Sequence, residues 1–384
     1  MVDLAFFGLW EDSLCHAKES DERFGGMLAV LMFDHCQLRT VKGLPMYKTS
    51  SGDLPPTALQ DRGRDRYRRI DKAIYLSQNM RFAQDAEWGD WLAGARLGIW
   101  TTPLRSFIAS LPEFDDIDRP RNQGPIQTIS TDNATRTLIN STAIDTAVRT
   151  FRTDRKVYVI SAKLSRQLSP MELAEIRGLP DNKTGNIPVF LQLYIGKACS
   201  VFLGYASVTW THFHSTGMPV RIKANQCVSS GVVNGASGTI HHIDWPPNTS
   251  FKLQPNSTWM PSKPPNNIYI DIATCTTLTR FPHLPQHWPI TVMPVHQVTA
   301  TLKLQGASLA IKGYPIVPGF GTTVHGVQGE TRDTVAITNL RPPSCPHVDP
   351  HALYVSLSRL RTRHGLHWIG DRPTPQDFEF SYMN

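Results

Sequence analysis

Charged side chains are thin in this 384-residue chain. They fill 18% of positions, where an ordinary globular domain has about 25%, and that excludes a coiled coil or a highly charged disordered chain. Long hydrophobic runs are missing too. The longest uncharged apolar stretch, Ala198–Phe213, is too short and too rich in Ser, Thr and His to cross a bilayer. No two of the six cysteines (Cys15, Cys36, Cys199, Cys227, Cys275, Cys345) form a C-x-x-C pair. No signal-peptide pattern opens the chain, so they read as reduced thiols of an intracellular protein. The N-x-S/T triplets at Asn133, Asn140, Asn182, Asn248 and Asn256 then carry no glycosylation meaning. Three reaction signatures are lacking as well: the G-x-x-x-x-G-K-S/T phosphate loop, the H-E-x-x-H zinc helix and the G-x-S-x-G nucleophile elbow. Gly196–Lys197 is the single Gly-Lys pair, and Ala follows it.

Proline is plentiful at 29 residues, so stiff loops are expected, and apolar residues at 40% suffice for two or three domains with real cores. The net charge of +7 and a pI near 9.1 point mildly to a polyanionic partner. Residues 5–20 carry helical spacing (Leu9, Trp10, Leu14). Met27–Phe33 is a continuous apolar run bounded by Gly25–Gly26 and Asp34, the pattern of a buried parallel strand with polar residues at its carboxyl end. Asp61–Lys72 interleaves acids with bases and reads as a solvated helix face. A short strand is expected at 73–76 (AIYL), and over 78–98 Met80, Phe82, Trp88, Trp91, Leu92 and Ala95 are expected to share one helical side.

After a loop rich in Asp and Pro over 112–125, strands and helices alternate (IQTIS, ATRTLINSTAI, VYVISAKL), which argues for a sheet covered by helices. From about 217 to 300 the chain turns Thr- and Pro-rich (PVRIKAN, GTIHHIDW, NIYIDIATC, ITVMPVHQVTATLKL), the signature of a small β-module. The α/β pattern returns with SLAIKGYPIVPGFGTTVHG and ALYVSLSRL, so the β-module reads as inserted into an α/β domain.

Four constellations carry chemistry. Asp34 and Gln37, at the end of the expected strand, have the groups that order an attacking water and sense a terminal phosphate. Arg81 lies between a strand and a helix. The stretch 322–331 (TTVHGVQGET) turns through Gly326 and Gly329 and presents Thr323, His325, Gln328 and Thr331. In 354–365 (YVSLSRLRTRHG), Arg359, Arg361 and Arg363 occupy alternate positions; an arginine offered across domains stabilises charge that develops during phosphoryl transfer. Cys345, His347, Asp349 and His351 lack paired metal-ligand spacing. His241–His242 and the tryptophans at 88, 91 and 210 read as packing or surface residues.

In this order the constellations resemble the later motifs of superfamily 1 DNA helicases, nearest to the petite-integration-frequency (Pif-type) helicases and their relatives in Helitron transposons. FGGMLAVLMFDHCQLRTV resembles the third motif, and QNMRFAQDAEWGDWL with ARLG the fourth-motif region. TDNATRTLIN is similar to the family's N-x-x-x-x-x-x-N stretch, and SSGVVNGASGTI to its L-V-N-G element. GTTVHGVQGET resembles the fifth motif and LYVSLSRLRTRHGL the sixth.

The resemblance implies an α/β, RecA-like (P-loop NTPase) motor fold with an inserted small β-barrel. It implies a remnant of a first motor domain over 1–72, a second motor domain over 73–225 and 297–384, and an insert over 226–296. The implied activity is ATP-dependent 5′–3′ unwinding of DNA in repair, recombination, telomere maintenance or transposition, in the nucleus or mitochondria. Gln37 would couple nucleotide state to DNA grip, Arg81 and Arg359 would touch the γ-phosphate, and Asp34, Gln328, Gly329 and Glu330 would line the nucleotide, Glu330 near the ribose. Thr323, His325 and the Asn234–Gly235 turn would lie along single-stranded DNA. ATP and Mg²⁺ are the implied cofactors.

The departures are informative. Phe33 replaces the family's Gly before Asp34, and Arg39–Thr40 replace Pro-Pro. The phosphate loop and the Asp-Glu magnesium motif are not among the 384 residues, so the chain is expected to be truncated, and the competing reading is a non-catalytic, single-strand-binding or inert fragment of a mobile-element gene. Between LQLYIG (191–196) and GMPVRIKAN (217–225) stand 20 aromatic and apolar residues, 197–216, where a surface insertion is ordinarily polar. Gly196–Lys197 fits a GGTAAG donor and Thr216–Gly217 an ACAGG acceptor, so 197–216 is expected to be an intron translated in frame.

Overall fold

The computed structural model describes residues 3–32, 34, 38, 46, 57–76, 79–112, 114, 126–150, 156–179, 183–195, 217–272, 275, 280–338, 340–341 and 347–379. Gln37 and the 197–216 segment lie outside these residues. The chain starts with α1 (Leu4–Ala17), capped by Asp3, whose carboxylate accepts from the Phe6 N–H at 2.9 Å. In α2 (Ala58–Arg68), Thr57 and Gln60 form a reciprocal capping box. The two helices cross with their backbones almost touching: a Cβ on Gly63 would stand 1.8 Å from the Leu4 carbonyl oxygen. Glycine in a helix costs about 1 kcal/mol relative to alanine, and here it permits the crossing. Glu11 of α1 is buried in the contact, and Arg66 of α2 meets it at 2.6 Å. The charge-dense segment is therefore only partly a solvated face.

Next come α3 (Ala86–Arg96), capped by Asp85, α4 (Thr102–Ser110), β1 (Gln127–Ser130) and α5 (Asn133–Thr150). A long run of strands follows: β2 (Val157–Ser161), β3 (Lys163–Leu164), then α6 (Pro170–Gly178), β4 (Phe190–Tyr194), β5 (Pro219–Ile222), β6 (Ser237–Asp244), β7 (Phe251–Leu253), β8 (Trp259–Pro261), β9 (Asn267–Ile272), β10 (Val292–Val295), β11 (Val298–Leu304), β12 (Ala307–Gly313) and β13 (Ile316–Pro318). The chain ends with β14 (Gly321–Thr323), α7 (Val324–Val327), β15 (Val335–Ile337), α8 (Pro350–Leu357), β16 (Leu366–Trp368) and α9 (Pro375–Glu379). Pro350 at the first turn of α8, with Asp349 as its cap, fixes where that helix begins.

Two kinds of sheet divide the molecule. A parallel sheet of order β14-β1-β15-β16 packs α3, α4 and α8 around Trp88, Leu92, Leu104, Ile129, Val355 and Trp368. Strands β1 and β14 are neighbours in this sheet, yet β2 to β13 all lie between them in sequence. Those intervening strands pair almost wholly antiparallel, in orders β10-β9-β6-β5-β13, β11-β12-β3 and β4-β2-β8-β7. Antiparallel architecture thus runs from 157 to 318, on both sides of the 226–296 expected for the β-module.

Two expected strands are corrected. Residues 27–32 and 73–76 carry no strand pairing, and Leu28, Met32 and Ile74 are 90% or more exposed. An apolar run becomes a strand only when a ladder partner takes its N–H and C=O groups, and neither segment has one among the described strands. The shared helical side over 78–98 also holds only in part: Trp88, Leu92 and Ala95 are buried on α3, whereas Phe82 is buried from a turn and Met80 is exposed.

Candidate nucleotide and single-strand site

Arg359 leaves the end of α8 and turns inward, 2% exposed. Its Nε donates to the Val355 carbonyl at 2.8 Å, its Nη1 to the Glu330 carbonyl at 3.2 Å and its Nη2 to Ser358 Oγ at 2.7 Å. Arg81 arrives from the turn before α3 and donates from Nη1 to the Ser358 carbonyl at 2.6 Å. Two guanidinium groups from distant parts of the chain therefore converge on Ser358. Burial, and then the charge of Arg81, pushes the Arg359 guanidinium down to about 10; Tyr354, Glu330 and Asp34 act in the other direction. Asp34 is thus within electrostatic reach of Arg359, and it pairs with Arg96 of α3 at 3.0 Å. Like charges brought together beside a buried guanidinium are relieved by an anion.

The other two alternate arginines are spent elsewhere. Arg361 faces Asp333 on the surface. Arg363 meets Asp85 and Glu87 at the start of α3 and lies 4.7 Å over the Trp91 ring. The turn after α8 breaks the alternation, so the three do not share a side.

Glu330 is held from both flanks, by Arg221 at 2.9 Å and Arg332 at 2.6 Å. Gln328 ends α7, and Gly329 follows with φ of +86°. Arg221 is the residue that sequence reasoning missed. It is a buried cation on β5, its guanidinium pushed down by burial despite Glu330, and it also donates to the Gly326 carbonyl. The signal was available: a lone arginine inside the apolar strand PVRI demands a partner.

Arg221 also brings the expected DNA loops together. It ties the α7 turn, which carries Thr323 and the exposed His325, to β5. One residue further on, the Ile222 carbonyl accepts from the Gly235 N–H at 2.8 Å. Asn234 N–H donates to Asn225 Oδ1 at 2.8 Å, and Gly235 takes φ of +94°, a conformation in which glycine is favoured. Asn140, the second asparagine of the N-x-x-x-x-x-x-N stretch, is buried and pairs with the backbone of Gly321, accepting from its N–H at 2.8 Å. It thereby fixes the edge strand β14 that leads into Thr323. Asp349 is spent on capping α8.

Parallel strands whose carboxyl ends deliver polar loops, crossed by an arginine pair, make the ligand crevice of an open α/β fold. No family model matches the sequence, and no curated protein matches it. Solved structures do. A Pif1 helicase from Candida albicans aligns over 100% of this chain and 73% of its own, with a TM-score of 0.59 and 15% identity. A Pif1 helicase from Bacteroides, in complex with ADP-AlF3 and ssDNA, aligns over 100% and 73% with a TM-score of 0.55 and 15% identity. Bacteroides Pif1 bound to ssDNA aligns over 96% and 68% with a TM-score of 0.52 and 16% identity. The chain is similar to Pif1 helicases in fold.

Proposed function

We propose that this chain is the phosphate-sensing and strand-gripping portion of a Pif-type, ATP-dependent 5′–3′ DNA helicase. The observation that carries this reading is the convergence of Arg81 and Arg359 on Ser358, with Asp34 and Glu330 beside them. Arg81 and Arg359 act on the γ-phosphate, Glu330 and the Gln328–Gly329 turn face the nucleoside, and Thr323, His325 and Asn234–Gly235 hold the DNA strand. Gln37 transmits nucleotide state to that grip. In this reading the parallel-sheet unit is the second motor domain, the antiparallel strands between β1 and β14 are its insert, and α1 with α2 belong to the first motor domain.

The buried Arg359 and the half-buried Arg81 beside it fit the phosphate end of ATP. Among the described residues no group of three His, Cys, Asp or Glu side chains is placed to hold a metal ion, and no step is routed through magnesium here. The absence of a G-x-x-x-x-G-K-S/T loop from the 384 residues favours a second reading for the chain by itself, single-strand binding without hydrolysis.

Thermal melting with and without ATP tests the phosphate site. A ligand that binds only the folded state raises the midpoint, and the rise is expected in the wild type and absent in Arg81→Gln. An ATP-induced shift of equal size in both proteins overturns the role given to Arg81.

A further inference from the structure

The antiparallel module carries the charge of the chain. Between Asp181 and Glu330 there are nine Lys and Arg against only Asp244 and Asp271, a surplus equal to the whole chain's +7, so the remaining residues balance. Within the module, the sheet β10-β9-β6-β5-β13 buries Ile240, Ile243, Ile268, Ile270 and Ile272. Ile240 and Ile243 are three residues apart, which strict alternation would place on opposite faces. A bulge between Ile240 and His242 in the β6–β9 ladder keeps both inside. Its consequence lies outside the core: His241 and His242 leave it side by side, half-buried and exposed respectively.

Two further rings join them. Tyr269, the ladder partner of His242, lies 6.1 Å from its ring, centre to centre. Trp288 stands 4.6 Å from His241, 5.4 Å from His242 and 5.1 Å from Tyr269. The loop that supplies Trp288 is stiffened by Pro282, Pro285 and Pro289 and clasped by Arg280, which donates to the carbonyls of Pro285 and Trp288. Asp271, two residues after Tyr269, is engaged by Thr291 Oγ1 at 2.5 Å.

The isoleucine core does not account for four rings gathered away from it. We propose that His241, His242, Tyr269 and Trp288 form a stacking platform for bases of single-stranded DNA, an extension of the strand-gripping surface that rests on the DNA-binding reading above. Ring faces accept any base, and the positive surplus of the module has the sign that draws a phosphate backbone. Strand β6 links the platform to the Asn234–Gly235 turn: from Ser237 to His241 is about 13 Å of strand at roughly 3.3 Å per residue, a reach that a few nucleotides cover.

Fluorescence anisotropy with labelled oligothymidine, and with the same oligomer made abasic, tests the platform in the full chain, Trp288→Ala, Trp288→Phe and His242→Ala. Trp288→Ala is expected to weaken oligothymidine binding about tenfold, with an unchanged salt slope because no phosphate contact is removed. Trp288→Phe is expected to keep most of the affinity, and the abasic oligomer to bind wild type and Trp288→Ala alike. Equal oligothymidine affinity in all four proteins overturns the platform and leaves the DNA-binding reading standing. No binding at low salt by proteins that melt cooperatively overturns both. If Trp288→Ala also melts earlier, the exposed His242→Ala decides: unaltered affinity there overturns the platform.

Discussion

Arg359 shows what a buried cation does before any ligand arrives. Its guanidinium satisfies Val355, Glu330 and Ser358 at once, so it holds the end of α8 against the Glu330 loop. Arg359→Ala leaves a cavity and two buried carbonyls that lose a donor, and is expected to destabilise the fold by about 2–4 kcal/mol; an unchanged urea midpoint would contradict this. Asp377 is the acidic counterpart. Burial alone would push its carboxyl up, but the N–H of Val348, the N–H and hydroxyl of Thr374, and the charge of Arg341 together hold it below the usual carboxylate range. With its folded value below the unfolded one, Asp377 contributes stability that is present above about pH 4 and lost as pH falls through the folded value. Urea midpoints should therefore fall between about pH 5 and about pH 2, and less steeply in Asp377→Asn; parallel pH profiles for the two proteins would remove Asp377 from the account.

At the level of elements, the α1–α2 crossing makes a prediction that runs against propensity. Alanine is the better helix former, yet a Cβ at position 63 meets the Leu4 carbonyl at 1.8 Å and neither backbone can yield without losing the Glu11–Arg66 pair. Gly63→Ala is expected to destabilise the crossing by about 1–3 kcal/mol, seen as faster amide exchange in α1 and α2; slower exchange would mean that propensity wins. The junction between β4 and β5 gives another. Strand β4 is paired with β2, and β5 with β6 and β13, so each has a ladder partner among the described residues. Deleting that segment is expected to leave the melting temperature unchanged or raised, and transcript sequencing is expected to show it spliced out. Earlier melting of the deletion variant would make the segment structural.

For the whole molecule, the proposed function separates catalysis from binding. Phosphoryl transfer depends on positioning and on charge stabilisation by a phosphate cradle and metal ion, and the 384 residues contain no phosphate-cradling motif. The purified chain is expected to hydrolyse no ATP above background, with or without single-stranded DNA; a DNA-stimulated, magnesium-dependent turnover abolished by Arg359→Ala would overturn this. In the proposed reading, single-strand binding draws instead on the basic antiparallel module. It is expected to be roughly micromolar at physiological salt and to weaken sharply between low and moderate salt, as counterions are released. Anisotropy titrations at two salt concentrations measure it, and a salt-independent affinity would reduce the surplus to solubility charge.

Local patterns fixed much of this in advance. The strand IQTIS, the helix ATRTLINSTAI, the strand VYVISAKL and the order of the motif-like stretches are all set by neighbours a few residues away, where spacing is the physics. The apolar runs at 27–32 and 73–76 look the same locally, but whether such a run becomes a strand depends on an edge offered from elsewhere in the chain. The partners of Arg359 are equally non-local: Arg81 lies 278 positions earlier, and the two meet only because β14, β1, β15 and β16 assemble a sheet from distant segments. The fate of Arg221 was likewise open, since a buried charge announces that it needs a counter-ion but not which one. The tertiary structure alone supplied Glu330, because only packing the antiparallel strands against the parallel sheet brings β5 to the α7 turn.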